Sequence, residues 1–431
     1  MLDQPILIMK ILLINTSEKK GGAAIACQRL MNALNANSIE AKMLVRDKQT
    51  NNPKVASVNT NGWKRLLNKW RFLWERLVIF LHNGFSRSNL FRVSIANTGN
   101  DISHHPWVQE ADILHLHWVN QGFLSIKNIE KLNSLGKPIV WTMHDMWPCT
   151  GSCHHSRGCN NYHTQCHNCF YILNGKKHKD IAHKTFQKKV PLFKTTNIQY
   201  ITCSKWLKER AINNPFFSLS HCTNIPNPIN ISLYCPSSKT EARKLFNLPT
   251  ENIKLVLFGA AKITDERKGI RFMIETCQLL SKNHLFDKDN FSLVVFGANS
   301  NAIADKVPFN VYPLDYLSST ESIISLYNAV DLFVTPSLDE NLPNTIMESM
   351  ACGTPCVGFN TGGIPEMIDH KVNGYVANYM DTEDLANGIR WVLEEADYRQ
   401  LSYNARKKVE KNYSETVVAE QYKRLYQKLL T

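Results

Sequence analysis

Long apolar runs are missing from this sequence of 431 residues. Residues 77–81 form an apolar stretch of only five residues, whereas a membrane-spanning helix needs about 18. The N-terminus also lacks a basic region followed by an apolar stretch and a small-residue cleavage site, the features of a secretory signal peptide. We therefore expect a protein that stays in the cytoplasm.

Two glycine-rich nucleotide-binding motifs are missing as well. The loop between the first predicted strand and the first predicted helix contains Gly21 and Gly22. Its spacing fits neither Gly-x-Gly-x-x-Gly nor Gly-x-x-x-x-Gly-Lys-Ser/Thr. This argues against a nicotinamide oxidoreductase and against a P-loop NTPase.

Acidic residues are scarce in the first part of the chain. Residues 1–240 contain 30 Lys and Arg against 12 Asp and Glu, a balance of +18, whereas residues 241–431 contain 20 against 25, a balance of −5. The basic excess is either a solvated surface or a face for an anionic partner, such as nucleic acid, a phospholipid surface or a phosphorylated substrate. No recognised DNA- or RNA-binding motif accompanies it, so we expect no nucleic-acid partner.

The composition, 43% hydrophobic, 20% charged and 10% aromatic, is that of a folded protein and excludes disordered or fibrous classes. The length predicts two domains. Short apolar runs alternate with helical patterns such as residues 23–34, which is typical of a parallel sheet wrapped by helices. The predicted strands are residues 10–15, 112–117, 138–143, 199–203, 254–259, 291–297, 331–335 and 354–359.

A segment with three prolines and several small polar residues, residues 224–238, interrupts this alternation. We predict an N-terminal domain over residues 1–225, a linker over 226–240, a second domain over 241–411 and a final helical segment over 412–431. The expected fold class is α/β with two Rossmann-like domains. Ligands of such sheets bind at the carboxyl ends of the strands, and the cleft between the domains is the expected active site.

Two candidate sites follow strands of the first domain. Gly21 and Gly22 let a ligand approach the backbone, and the helix after them offers free amides to a phosphate; a simple turn is the alternative. His144 follows the strand at 138–143, where it could donate a hydrogen bond to an anionic or hydroxylated substrate or could be structural.

Residues 149–169 contain five cysteines with histidines between them. Disulfides are disfavoured in the cytoplasm, and four thiolates can hold Zn²⁺. The density of cysteines favours a structural zinc site, although the spacing contains only one Cys-x-x-Cys pair; a disulfide or redox pair and unliganded packing cysteines are the alternatives. The candidate ligands are Cys153, Cys159, Cys166 and Cys169.

Residues 63–81 have a helical pattern that combines three tryptophans with five Lys and Arg. This is the composition of a helix at a membrane interface. The alternative is a helix that packs on the core and exposes one basic face.

The second half carries cations and carboxylates at strand ends. Arg267 and Lys268 are predicted to open a helix, where they would suit a diphosphate. Glu340 follows a strand, and Pro343 is expected as the first residue of the next helix. Glu348 would then lie about one and a half turns into that helix, so the two carboxylates could contact different parts of one extended polar ligand.

The stretch Glu340-x7-Glu348 resembles the donor-site signature of retaining glycosyltransferases of family 4, which have the GT-B fold. Further pieces that match, in the expected order along the chain, are Gly21-Gly22, His144-Asp145, Asn227-Pro228, Lys268-Gly269, Cys352-Gly353-Thr354-Pro355 and Gly362-Gly363. The cysteine-rich insert after His144-Asp145 resembles a bacterial subgroup found among capsule and exopolysaccharide enzymes.

The resemblance implies two Rossmann-like domains that face each other across a cleft, with the last helix crossing back to the first domain. It also implies a hexosyltransferase that moves a sugar from a UDP- or GDP-linked donor with retention of configuration and without a catalytic metal. A glycan or polyprenyl-diphosphate-linked acceptor in surface polysaccharide synthesis is implied. Because the first domain of this fold holds the acceptor, the basic balance of residues 1–240 and the tryptophans and cations of residues 63–81 predict a peripheral position on an anionic inner membrane surface.

The same resemblance assigns roles to single residues. Glu348 would bind the ribose hydroxyls of the donor, Glu340 would face the transferred sugar, and Lys268 would stabilise the diphosphate. Gly21 and Gly22 would approach the phosphates, and His144 would contact the sugar or the reaction centre. Catalytic roles are thus expected for Glu340, His144 and Lys268, and donor contacts also for Arg267, Asn341 and Leu342.

Two departures from the family pattern affect the donor site. Where the family usually has an arginine, this chain has Ala260, Ala261 and Lys262, so Arg267 or Lys262 would supply the second positive charge. Where the family commonly has Gly-Phe-Gly, this chain has Asn341, Leu342 and Pro343. Because proline has no amide hydrogen, the sugar contacts must differ. Two alternatives remain, a sugar-nucleotide epimerase of the same fold and a non-enzymatic zinc- or anion-binding protein.

Overall fold

Two parallel sheets organise the structure, a computed structural model that describes residues 9–172, 179–217 and 221–431. The first unit comprises the chain up to Pro228 together with Val418–Thr431, and the second comprises Ile229–Val417. The predicted fold class, two Rossmann-like α/β sheets in series, is confirmed.

The sheet of the first unit has seven strands in the order β3-β2-β1-β4-β5-β6-β7, and every neighbouring pair is parallel. Its strands are β1 (Lys10–Ser17), β2 (Glu40–Asp47), β3 (Val55–Ser57), β4 (Ile113–Leu116), β5 (Ile139–Met143), β6 (Ile198–Thr202) and β7 (Cys222–Asn224). Its helices are α1 (Gly22–Ala36), α2 (Gly62–His82), α3 (Pro106–Glu110), α4 (Ile126–Asn133), α5 (Ile181–Lys194) and α6 (Lys205–Ile212). Short 3₁₀ helices are at Trp147–Cys149 and Asn161–His163.

Both faces of this sheet are covered, as parallel sheets require. Along β1, Leu12 and Ile14 point into one apolar cluster, whereas Ile11 and Leu13 point into another. The second cluster is completed by the last helix of the chain, which contributes Val418, Ala419, Tyr422 and Tyr426. The C-terminal segment therefore packs on the first unit, as the resemblance implies.

The sheet of the second unit has six strands in the order β10-β9-β8-β11-β12-β13, again all parallel. Its strands are β8 (Lys254–Lys262), β9 (Phe291–Ala298), β10 (Asn310–Leu314), β11 (Leu332–Thr335), β12 (Cys356–Phe359) and β13 (Gly374–Ala377). The helices of this part of the chain are α7 (Lys239–Leu245), α8 (Ile270–Lys282), α9 (Thr320–Ala329), α10 (Asn344–Ala351), α11 (Ile364–Met367), α12 (Thr382–Arg390), α13 (Tyr398–Asn412) and α14 (Glu415–Leu430). There are 3₁₀ helices at Glu266–Lys268 and Ser300–Lys306 and a π-helix at Trp391–Glu395.

All eight predicted strands are present, because each is a short, continuous apolar run buried on both faces. Five strands were not predicted: β2, β3, β7, β10 and β13. They are short or mix charged and apolar residues, so their pattern alone does not distinguish them from loops. Within the described residues, no helix combines the length and the apolar composition needed to span a bilayer.

Candidate active site

Three loops of the second unit leave the same edge of its sheet. They follow β8, β11 and β12, which are adjacent parallel strands, so their carboxyl ends lie side by side. The amide of Leu338 donates to the carbonyl of Arg267 at 2.7 Å, and the amide of Gly363 donates to the carbonyl of Glu340 at 3.3 Å. These hydrogen bonds fasten the middle loop, residues 336–343, to the loops on both sides of it.

Two glycines permit this close approach. Gly269 has φ +75°, and a Cβ there would lie 1.8 Å from the carbonyl oxygen of Pro336. Gly362 has φ +57°, and a Cβ there would lie 1.6 Å from the carbonyl oxygen of Glu340. Any side chain at either position would push the loop that carries Glu340 away from its neighbours.

Lys268 and Glu340 form an ion pair between two of these loops, with the lysine Nζ donating to a carboxylate oxygen. Both side chains are partly buried. Residues that are 72 positions apart in the chain are thus in direct contact at the strand edge, where the resemblance placed the diphosphate and the transferred sugar.

Arg267 lies next to this pair and is held by Asp265, whose carboxylate accepts from the guanidinium at 2.8 Å. Burial opposes the charged guanidinium, but the hydrogen bond from Arg267 to Asp265 and the charges of Asp265, Glu340 and Asp339 raise the pKa of Arg267 above its usual value. Our expectation that Arg267 and Lys268 open a helix is wrong. They lie in the 3₁₀ turn Glu266–Lys268, and α8 begins only after Gly269, whose left-handed backbone separates the two.

Glu348 is buried on α10 and accepts a hydrogen bond from the hydroxyl of Tyr327 at 3.3 Å. Burial, and next the charge of Glu348, raises the pKa of Tyr327 well above its ordinary value, so the phenol keeps the proton that it donates. Pro343 is the N-cap of α10 and Asn344 its first residue, one position later than predicted. The helix ends at Ala351, and Gly353, with φ +77°, follows the C-cap.

Asn341 and Leu342 are also buried between these elements, 8% and 7% exposed. Arg267, Lys268, Glu340 and Glu348 are the other predicted donor-site residues of this unit. The structure therefore gathers on one strand edge residues that the sequence separates by about 80 positions.

In the first unit, His144 lies at the end of β5 and forms a hydrogen bond with His117, which follows the neighbouring strand β4. The distance between His144 Nε2 and His117 Nδ1 is 2.9 Å, and the two rings are stacked with centroids 5.2 Å apart. Burial lowers the pKa of His144 to about 4, although the charge of Asp145 raises it. His144 is therefore neutral near pH 7, and it can donate or accept but does not carry charge to a substrate.

Asp145 organises the loop behind His144. Its carboxylate accepts from His154 Nδ1 at 2.7 Å and from the Trp118 indole at 2.8 Å, and also from the amide of Trp147 at 2.8 Å. Burial raises the pKa of Asp145, but the charge and hydrogen bond of His154 outweigh this and bring it to about 2. Asp145 is therefore an ionised anchor that holds the loop.

Gly21 and Gly22 lie between β1 and α1, at the carboxyl edge of the same sheet as His144. Gly21 is the N-cap of α1 with φ +92°, and a Cβ at this position would meet nothing within 4 Å. Open space next to a helix N-terminus is compatible with the predicted phosphate contact. The structure thus places Gly21, Gly22 and His144 at the ends of strands of one sheet.

The cysteine-rich insert carries the four candidate zinc ligands, and the structure shows how their thiols are packed. No group of three or more Cys, His, Asp or Glu side chains that could hold a metal ion occurs in the described ranges. The twelve cysteines, all of which lie in those ranges, are free thiols. Cys153 packs in an apolar cluster with Ile79 and Val93, whereas Cys166 packs in another and accepts from the amide of Gly151 at 3.1 Å.

The protonation of these thiols agrees with that packing. Burial raises the pKa of Cys166 to about 12 and that of Cys169 to about 11. All four candidate thiols are near enough to one another for their charges to interact, which raises these pKa values further. Protonated thiols are poor metal ligands, so a zinc ion would have to deprotonate them. The zinc site stays a prediction.

The sequence analysis did not predict four residues that contact the predicted ones. They are His117, which contacts His144; Asp265, which contacts Arg267; Tyr327, which contacts Glu348; and Gly362, which approaches Glu340. A signal existed for His117, since it ends the predicted strand 112–117 and this strand lies beside the one that precedes His144. Tyr327 lies on α9 and gives no such signal, because its contact with Glu348 depends on how two helices pack.

Comparison with known proteins finds a family match within the second unit. Residues 239–408 match the family model for glycosyl transferases group 1. The N,N'-diacetylbacillosaminyl-diphospho-undecaprenol alpha-1,3-N-acetylgalactosaminyltransferase of Campylobacter jejuni is 30% identical over 207 residues, which are 47% of this chain and 53% of that protein. The amylovoran biosynthesis glycosyltransferase AmsK of Erwinia amylovora is 29% identical over 220 residues, 46% of this chain and 53% of that protein. The chain thus spans about half the length of these relatives.

A solved structure extends the likeness to the whole fold. The Anabaena protein Alr3699/HepE, in complex with UDP-glucose, superposes with a TM-score of 0.61 at 16% identity, over 97% of this chain and all of that chain. The similarity at this level of identity concerns the fold.

Proposed function

We propose that the chain is a retaining glycosyltransferase, because residues 239–408 match the family model for glycosyl transferases group 1. It moves a sugar from a nucleotide-diphosphate donor to a glycan or lipid-linked acceptor. The observation that carries the proposal is the ion pair of Lys268 and Glu340, held at the strand edge of the second unit by loops whose close approach depends on Gly269 and Gly362.

The cations suit the leaving group of this reaction. When the bond from the sugar to the diphosphate breaks, negative charge develops on the phosphate oxygens, and fixed cations stabilise it. Lys268 and Arg267 are consecutive in one short turn whose position is fixed by the hydrogen bond from Leu338 to Arg267. Glu340 holds Lys268 in the absence of a donor and would share it with a bound phosphate.

The carboxylates suit the polar ends of the donor. Glu348 is buried and has one oxygen on the Tyr327 hydroxyl, and a carboxylate can accept further hydrogen bonds from the neighbouring hydroxyls of a ribose. Glu340 follows β11 on the loop beside it, so it would face the sugar hydroxyls. Asn341 and Leu342 line the same loop and would supply the remaining donor contacts.

His144 would act as a neutral hydrogen-bonding group toward the sugar or the reaction centre. Its low pKa keeps it uncharged, so it stabilises a partial charge or a hydroxyl and leaves the charge of the diphosphate to the cations. Gly21 and Gly22, at the N-terminus of α1, would admit the phosphates. We propose no metal in the reaction.

The names of the relatives suggest the acceptor. One relative is named for a diphospho-undecaprenol substrate and another for the synthesis of amylovoran. We therefore propose a polyprenyl-diphosphate-linked or glycan acceptor in surface polysaccharide synthesis. With such an acceptor, we propose that the protein works peripherally at the inner membrane face.

Thermal unfolding with a panel of nucleotides tests the donor class. UDP or GDP should raise the unfolding temperature, because a ligand that binds only the folded state stabilises it. Stabilisation by NAD alone, or by no nucleotide, would contradict the proposal. Replacement of Lys268 and Glu348 should abolish the shift, whereas replacement of the exposed Lys282 on α8 should preserve it.

A screen of nucleotide sugars then identifies the reaction. A transferase releases the nucleoside diphosphate and forms a product whose anomeric configuration, read by NMR, matches that of the donor. An epimerase instead interconverts two sugars with no acceptor, and a binding protein turns over nothing. Release of nucleoside diphosphate with retention supports the proposal, and inversion would contradict it.

A further inference from the structure

The helix α2 buries mainly polar side chains and exposes its large apolar ones. Its buried positions are Asn68, Glu75, Arg76 and Ile79, of which three are polar. Its large apolar side chains are exposed, with Trp63 at 73%, Trp70 at 54% and Leu73 at 61%. Surface helices of globular proteins ordinarily bury the apolar stripe.

The exposed side chains form one continuous face. They recur three or four residues apart, so they line a single side of the helix. In sequence order they are Trp63, Leu66, Trp70, Leu73, Trp74, Leu77 and Leu81; we call them the α2 stripe. The rings of Trp70 and Trp74 stack with centroids 5.5 Å apart. Two further exposed aromatics, Phe85 and Phe91, adjoin the helix through ring contacts with Phe80 and Phe72.

Polar contacts hold the helix in this orientation. Glu75 is fully buried, and its Oε1 accepts from the amides of Ile95 and Ala96 at 2.8 and 2.9 Å. Its other oxygen lies 3.0 Å from the guanidinium of Arg76, which also donates to the carbonyl of Val93 at 3.1 Å. A roll of the helix that buried the α2 stripe would move Glu75 and Arg76 to solvent and leave the buried amides of Ile95 and Ala96 and the carbonyl of Val93 without these partners, which is unfavourable.

The other end of the helix is anchored in the same way. Asn68 donates to Asn59 Oδ1 at 2.6 Å and accepts from Asn100 at 2.7 Å. Gly122 passes so close to the backbone of Phe72 that a Cβ there would lie 2.9 Å from its nitrogen. The stripe is therefore held outward along the whole length of α2.

The stretch of chain that contains the stripe is rich in cations. Residues 48–100 contain nine Lys and Arg and a single carboxylate, Glu75, and that carboxylate is buried against Arg76. Lys64, Arg65 and Lys69 are exposed beside the tryptophans. Arg71 is different: it donates to Asn68 and Asn100, and burial lowers its pKa.

We propose that the α2 stripe is a docking surface for an anionic phospholipid bilayer, on which α2 lies in the plane of the interface. Tryptophans and leucines would enter the boundary between headgroups and acyl chains, and Lys64, Arg65 and Lys69 would contact lipid phosphates. The excess of cations favours this occupant over a second copy of the chain, because two such faces would repel each other. The surface goes beyond the proposed donor chemistry and needs no part of it.

Vesicle flotation with the whole protein tests the proposal. The protein should float with vesicles of phosphatidylglycerol and phosphatidylcholine at low salt and much less at high salt, because salt screens the attraction. It should bind vesicles of phosphatidylcholine alone far more weakly. Equal binding to both compositions, or none to either, would overturn the proposal.

Two pairs of variants locate the surface. Trp70→Ser with Leu73→Ser, and Lys64→Glu with Lys69→Glu, should each reduce binding at least about ten-fold. The matched controls are Leu245→Ser with Tyr403→Ser, which are exposed apolar positions of the second unit, and Lys184→Glu with Lys188→Glu, exposed cations on α5. All four variants should keep the wild-type unfolding temperature, since every changed side chain is exposed. Equal losses in variants and controls would overturn the assignment to α2.

Light scattering coupled to size-exclusion chromatography tests the remaining alternative, that a second copy of the chain covers the α2 stripe. A monomer that binds vesicles through the stripe supports the proposal. A dimer that Trp70→Ser with Leu73→Ser converts to a monomer, without vesicle binding by the wild type, would overturn it in favour of a second copy. Nucleotide-induced stabilisation of the same variants reports on the donor site alone, so failure of the proposed activity and failure of the docking surface remain distinguishable.

Discussion

His117 Nδ1 and His144 Nε2 are hydrogen-bonded at 2.9 Å, at the ends of two neighbouring parallel strands. Burial, followed by the charges of His115 and His144, lowers the pKa of His117 well below its ordinary value. One neutral imidazole therefore donates and the other accepts. Because His117 occupies Nε2 of His144 while Cys203 Sγ lies 3.7 Å from Nδ1, the position of the proton on His144 is coupled to that on His117.

His117→Phe tests this arrangement. Phenylalanine keeps a ring between His115 and His144 but cannot hydrogen-bond, so it leaves Nε2 of a buried histidine unpaired, which costs about 1–3 kcal/mol. We expect a less stable protein with reduced transfer and a mixture of His144 tautomers, read from its ring nitrogen shifts by NMR. His82→Phe, at an exposed position of α2, is the control. An unchanged His144 tautomer in His117→Phe would show that His117 does not orient it.

Replacement of either Lys268 or Glu348 should strongly reduce sugar transfer. Lys268→Ala and Glu348→Ala should each lower transfer at least about 100-fold, equivalent to ~2.7 kcal/mol of lost transition-state stabilisation. Steady-state kinetics with a saturating acceptor measures this, and Lys282→Ala on α8 is the matched control. Near-normal rates in either variant would remove that residue from the donor site.

Gly269→Ala should disrupt the site more than its backbone angle alone explains. Gly269 and Gly136 have nearly equal angles, φ +75° and +72°. A Cβ at Gly136 meets nothing within 4 Å, whereas one at Gly269 lies 1.8 Å from Pro336. Gly136→Ala should therefore cost about 1–2 kcal/mol from left-handed strain, and Gly269→Ala clearly more, together with loss of nucleotide binding. Urea unfolding of both variants makes the comparison; equal losses would mean that the loop yields freely.

Stability should fall as the pH falls below the ordinary pKa of histidine. Burial, with a smaller contribution from His144, lowers the pKa of His115 from 6.5 to about 3. Between these values the unfolded chain binds a proton that the folded chain does not, so acid favours unfolding; above 6.5 the difference vanishes.

His115→Asn isolates this effect. The variant should be less stable at every pH, because His115 contacts Tyr426 and Thr142 at 2.7 Å. Its free energy of unfolding should nevertheless change less than that of the wild type between pH 7.5 and about pH 5. His82→Asn should keep the wild-type slope. A variant slope equal to the wild-type slope would contradict a neutral, buried His115.

Metal analysis decides the cysteine-rich insert. If zinc binds there, protein purified under reducing conditions should carry about one equivalent, and replacement of Cys166 or Cys169 by serine should remove it. Cys235→Ser in the second unit should retain the metal. A metal-free wild type would reject the zinc site.

The sequence by itself determined the α/β class and the strands that carry the site, because buried parallel strands are continuous apolar runs. It also placed Glu340 and Glu348 correctly relative to β11 and α10, since a loop and a single helix are local structures. The sequence also predicted an amphipathic helix in residues 63–81.

Only the tertiary structure decided which groups meet and which faces are buried. The pairs His117–His144 and Lys268–Glu340 form because adjacent parallel strands bring their carboxyl ends together. The order of the strands in each sheet cannot be read from local sequence. A surface helix usually buries its apolar stripe, which would place the tryptophans of α2 in the core. The alternative of a core-packing helix depended on that rule. The reverse occurs, since the buried Glu75–Arg76 pair finds its partners on residues 93–96. The energy of those distant polar contacts, absent from any local pattern, sets the orientation of the helix.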